Sequence, residues 1–235
     1  MAPALIEHTK FYEPLHLQHM KLGTDRLEAF SDGVIAVIIT IMVLELKLPD
    51  MHKDRTAEDT WNHLRDLLPY MITYAFSFMM IAVLWTNHHH MFHLLEKTDE
   101  HLLWQNFIFL FMLSLIPFAT SIVGANPLVS ISAAIYGLVM LLTTFSFTTM
   151  WNYTLRKKLM HKDEDQELNR NIFKVSFLGK KKAITVTLIY LASIPLAYIS
   201  VWIAYACFLV PPVIFFIPQG IDNEAFADKV AEKNT

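Results

Sequence analysis

Arg26-Leu27-Glu28-Ala29-Phe30-Ser31-Asp32 runs without interruption into Gly33-Val34-Ile35-Ala36-Val37-Ile38-Ile39-Thr40-Ile41-Met42-Val43-Leu44. Charged and hydroxyl side chains crowd the head of a segment that is otherwise apolar and of membrane-spanning length. A charge that enters hydrocarbon is costly unless it is paired or faces water, so this helix must find partners for its head. At about 100° per residue, Val37, Thr40, Ile41 and Leu44 share one face. Ser31 and Asp32 lie roughly 120 to 140° away from that stripe. One face is therefore apolar with a single hydroxyl, and the other is polar and calls for neighbouring helices.

The rest of the chain supplies them. Of 235 residues, 54% are hydrophobic and 17% charged, against about 25% charged in soluble domains, and the mean hydropathy is +0.37. The composition reads as an all-α integral membrane protein. Apolar runs of about 20 residues predict six transmembrane helices, at about 26–46, 67–95, 102–123, 128–155, 183–198 and 201–217. Lys47-Leu48-Pro49-Asp50 stops the first, and Gly124-Ala125-Asn126-Pro127 reverses the third into the fourth. Pro195 and Pro211-Pro212 are read as breakers in the last apolar block. The expected organisation is an N-terminal segment (1–25), a six-helix domain (26–217) holding a long basic loop (156–182), and a C-terminal tail (218–235). Residues 1–25 lack the uninterrupted apolar core of an export signal, so the first span is expected to be retained.

With the N-terminus inside, fifteen of the nineteen lysines and arginines fall on the inner side, against Lys47, Lys53, Arg55 and Arg65 outside. That bias predicts cytoplasmic termini in a cell inner membrane. The lone Cys207 excludes an intramolecular disulfide. A net charge of -3 gives no reason to expect nucleic acid as a partner.

By topology, the head of span one, the end of span two and the start of span three reach the same leaflet. Ser31, Asp32, Trp85, His88, His89 and Asn106 are thus expected to satisfy one another in a polar layer. Arg26 is poorly placed to pair with Asp32 within the helix. Such a layer serves equally as glue between helices. His89 and His93 have i, i+4 spacing, with Glu96 and Asp99 following, but without a matching motif on a partner helix this falls short of a metal signature. No phosphate loop or nucleophile elbow is present, and neither an enzyme nor a cofactor is expected. Taken alone, the stripe Val37, Thr40, Ile41, Leu44 reads better as a core or lipid-facing surface than as a pore lining.

The run Arg26-x-x-x-Phe30-Ser31-Asp32 resembles the hallmark of the transmembrane protein 175 family of potassium channels, the endolysosomal channels of animals and their bacterial relatives. The resemblance continues through Trp85-x-x-His88-His89-x-x-Phe92, Asp99, Asn106 and Pro117-Phe118-Ala119-Thr120. It implies that the first helix lines a central pore and that the Phe-Ser-Asp element ties it to its neighbours. Val37, Ile41 and Leu44 would then form the constriction, with Thr40 as a polar ring beside it. With one repeat rather than two, the implied assembly is a homotetramer in the bilayer, conducting K+ and other monovalent cations.

No Thr-Val-Gly-Tyr-Gly filter exists, which excludes carbonyl coordination of the usual kind and leaves weak to moderate selectivity through an apolar neck. The family usually has Ile or Leu where Val37 stands, so a wider ring with weaker K+ over Na+ discrimination is expected. Glu45, one turn beyond Ile41, is either a cation-attracting ring at the outer mouth or a solvated helix end. The competing readings are a proton-coupled carrier that uses Asp32 and the span-two histidines, and a histidine-ligated metal membrane protein.

Overall fold

The computed structural model describes residues 23–45, 57–160 and 166–216, and these are helical apart from turns and one isolated bridge. The helices in chain order are α1 (Thr24–Met42, extended by a 3-10 turn, Val43–Glu45), α2 (Ala57–His93), α3 (Glu100–Ser114), α4 (Ile116–Ala125), α5 (Ser130–Lys157), α6 (Gln166–Ile199) and α7 (Val201–Phe216). Residues 1–22 and 217–235, which hold most of the expected terminal segments, lie outside the described residues.

Among the described residues, four stretches are long and apolar enough to cross a membrane: Leu64–His93, Glu100–Ala125, Ser130–Lys157 and Ser176–Ile199. α1 differs because Asp25, Arg26, Glu28 and Asp32 occupy its first half, and α7 is only 16 residues long. The third expected span divides at Leu115 into α3 and α4. Pro117 explains the division: it has no N–H to continue the helical ladder and sits in the first turn of α4, where that loss is harmless.

Two expectations are corrected. The stretch 156–182 is not a long loop, because α5 continues to Lys157 and α6 begins at Gln166. Lysine, glutamine and leucine are good helix formers whether or not lipid surrounds them, so the charged extension stays helical where hydropathy alone reads a loop. Pro195, Pro211 and Pro212 lie inside helices. The chain instead breaks at Ser200, whose N–H donates to Leu196 O at 2.9 Å while its own carbonyl accepts from the N–H groups of Ile203 and Ala204. Membrane helices tolerate proline where neighbours re-satisfy the backbone.

α5 is the most enclosed helix, packed mainly against α6 and α3. Its Thr143, Thr144 and Thr148 hydroxyls donate to carbonyls one turn back at 2.7–2.8 Å, which keeps polar atoms satisfied without water. Close approach to α6 depends on a missing side chain: a Cβ on Gly137 would meet Ser193 Oγ at 2.8 Å. At the charged end of the bundle, Asp99 caps α3 through Leu102 N at 2.8 Å and accepts the Tyr153 hydroxyl at 2.5 Å. The α2–α3 turn is thereby fixed to the end of α5. This is the frame against which the head of α1 rests.

Candidate functional site

α1 packs on α2 and α3 through Leu27, Ser31, Ile35, Ile38 and Met42, all buried at intervals of three or four residues. Within that apolar seam Ser31 is the one hydroxyl, and it is fully buried (0% exposed). Its proton goes to Leu27 O at 2.8 Å, and its oxygen accepts Asn106 Nδ2–H at 2.8 Å. Asn106 Oδ1 in turn lies 2.8 Å from His88 Nε2. Because the amide oxygen can only accept, His88 carries its proton on Nε2. The line His88 to Asn106 to Ser31 to Leu27 O joins α2, α3 and α1 with every donor pointing the same way. The imidazole is clamped between Phe92 (centroids 4.4 Å apart) and Phe109 (5.4 Å), and its Nδ1 has no hydrogen-bond partner among the described residues.

A second, wetter line runs beside the first. Trp85 Nε1–H donates to Asp32 Oδ1 at 2.8 Å, so the charge at the head of α1 is held by an indole of α2. His89 stacks on Trp85 at 5.5 Å and places Nδ1 2.8 Å from Glu28 Oε1, while its Nε2 lies 2.9 Å from His93 Nε2. The expected single polar layer is therefore two lines. Ser31, His88 and Asn106 meet in the buried one; Asp32, Trp85 and His89 meet in the other. Glu28 and His93 were absent from that expectation. Spacing carries the signal for both: Glu28 and Asp32 are four apart on α1, and Trp85, His89 and His93 are four apart on α2, so two stripes face each other.

The opposite face of α1 touches nothing comparable. Val37 is 55% exposed and Leu44 74%, and Thr40 and Ile41 are exposed with them. Phe30, Gly33, Val37, Thr40 and Leu44 follow one another at steps of three and four along this face, and a Cβ on Gly33 would meet nothing within 4 Å. Thr40 Oγ1–H donates to Val37 O at 2.9 Å. The hydroxyl oxygen retains its capacity to accept a hydrogen bond. Arg26 is exposed, and Phe30, half-exposed, touches Phe107 of α3 edge-on at 5.7 Å. Glu45 ends the 3-10 turn after α1, and its side chain lies outside the described residues.

Residues 26–117 match the family described as Endosomal/lysosomal potassium channel TMEM175. A potassium channel of Chryseobacterium is 34% identical over 194 residues, covering 83% of this chain and 93% of that protein. A potassium channel of Chamaesiphon minutus is 32% identical over 192 residues, covering 79% and 90%. The crystal structure of a lysosomal potassium-selective channel TMEM175 homolog from Chamaesiphon minutus matches with a TM-score of 0.66 at 27% identity, over 83% of this chain and 97% of that one.

Proposed function

The chain belongs to the TMEM175 family, and from that premise we propose that it is a multi-pass membrane protein forming a cation channel whose pore is lined by α1. The observation that carries this reading is the division of α1 into two faces. Its inner face is packed and hydrogen-bonded within the subunit, whereas Val37, Thr40, Ile41 and Leu44 are left exposed in one continuous stripe. Four copies of α1 around a symmetry axis turn that stripe into stacked rings. The apolar rings of Val37, Ile41 and Leu44 form a neck in which a permeating ion loses water, and the free lone pairs of Thr40 offset part of that loss.

The channel favours K+ over Na+ weakly to moderately, because the smaller ion holds its water more tightly and no carbonyl cage replaces it. Opening separates the α1 side chains. The buried line from His88 to Leu27 O and the Asp32–Trp85 bond hold the inner end of the helix in place while its outer face is exposed to ions. Both termini lie in the cytoplasm of a bacterial cell, with six helices in each subunit of a homotetramer. The lysine and arginine bias supports that orientation.

Ion flux into proteoliposomes under K+ and Na+ gradients tests the reading. Wild-type protein should pass K+ faster than Na+, and Ile41→Asn, which makes one ring polar, should raise total flux and reduce the preference. Saturable flux that requires a proton gradient would instead indicate a carrier.

A further inference from the structure

Glu28 of α1 and His89 and His93 of α2 bring one metal-ligating atom each to within 4.8 Å of one another. These side chains serve no purpose in the pore stripe, and the contacts among them are incomplete. His89 Nε2 and His93 Nε2 face each other at 2.9 Å, where a single shared proton is all that keeps two nitrogen lone pairs apart. Among the described residues His89 Nδ1 is buried and has no hydrogen-bond partner, although Glu28 Oε1 lies 2.8 Å away, so the carboxylate sits close without being aligned. A cation takes one atom from each of the three side chains, and each imidazole keeps its proton on the other ring nitrogen.

We propose that Glu28, His89 and His93 form a binding site for a divalent transition-metal ion of the Zn2+ class, which clamps the head of α1 to the end of α2. Two imidazoles and one carboxylate are a donor set that Zn2+ takes in tetrahedral geometry with a fourth position left to water. Mg2+ and Ca2+ prefer oxygen ligands throughout and are poorly served here. Tetrahedral bonds of about 2.0–2.2 Å put donors roughly 3.3 Å apart. Small rotations of the three side chains meet that spacing. The i, i+4 step sets both histidines on one helix face, and stacking on Trp85, itself held by Asp32, fixes the His89 ring. His93 is exposed, so the ion enters from water. Both imidazoles ligate as neutral groups, the proton between their Nε2 atoms moving to a ring nitrogen that does not hold the ion. Because the three ligands come from two helices, the ion joins them more firmly than the Trp85–Asp32 bond alone. An effect on conduction rests on the pore reading above; the binding itself does not.

Titration of the purified full-length protein in detergent with Zn2+, in competition with a chromophoric chelator, tests the site. The expected result is saturation at one ion per subunit. Affinity should fall at least about tenfold in His93→Gln and in Glu28→Gln and be retained in His101→Gln, an α3 histidine that stacks on Tyr153 and is not one of the three ligands. His93 is exposed, so its substitution leaves the fold intact. Co2+ in place of Zn2+ should give the visible absorption of a tetrahedral nitrogen and oxygen site in the wild type and lose it in His93→Gln. Absence of saturable binding, or binding that persists unchanged in a His89→Gln, His93→Gln double variant, overturns the proposal. Saturable binding by a protein that passes no K+ supports the site and contradicts the pore reading alone.

Discussion

The two faces of α1 and its 3-10 extension belong to one continuous helical segment and could hardly be treated more differently. On the inner face, Ser31 is wholly buried and both its donor and its acceptor capacity are used by atoms of the same chain. Nine residues later on the outer face, Thr40 gives its proton to Val37 O and leaves its oxygen open among exposed Val37, Ile41 and Leu44. A hydroxyl buried within the subunit serves to position the helix, and one left facing outward is available to an ion. On the proposed pore reading, stability and conduction fall to different sides of one helix, and substitutions on the two sides should have separable effects.

The largest effect is expected on the inner face. Asn106→Leu removes the acceptor of His88 and the donor to Ser31, leaving a buried imidazole N–H unpaired at a cost of about 2 kcal/mol. Thermal unfolding in detergent should drop accordingly, while the K+ preference of protein that does assemble stays at the wild-type value. A changed preference would mean that the two faces are coupled. Ile41→Asn comes next and mirrors it: K+ over Na+ discrimination should fall several-fold in flux assays, with stability within about 0.5 kcal/mol of the wild type, as for other exposed positions. A smaller effect is expected from Val37→Ile, which narrows one ring by a methylene and should sharpen the preference measured by bi-ionic reversal potential. Unchanged permeability ratios would remove Val37 from the neck. The smallest is Glu45→Gln, which should lower conductance at low salt and have almost no effect at high salt, where screening hides a surface charge.

Much of the α1 arrangement was legible in the sequence because helical periodicity is rigid. Once Ser31 and Val37 are on one helix, their angular separation follows, and span order alone brings Trp85, His88 and Asn106 to the same depth. What went unread was the partner that α1 offers to His89 and His93. His89 and His93 looked along their own chain to Glu96 and Asp99. The structure gives them Glu28, and Asp99 instead caps α3 and accepts Tyr153. The helix boundaries failed where hydropathy and helicity part company. The lysine-rich start of α6 is polar and helical, Pro195 is tolerated inside α6, and Pro117, unmarked as a breaker, divides the third span.

The central claim is that the outward stripe of α1 faces the ion path and not lipid. Charged thiol reagents separate the two, since they react in water and do not cross hydrocarbon. In a Cys207→Ser background, Ile41→Cys and Leu44→Cys channels should carry K+ current that a positively charged methanethiosulfonate reagent blocks irreversibly. Undiminished current at both positions after exposure to the reagent would contradict the account.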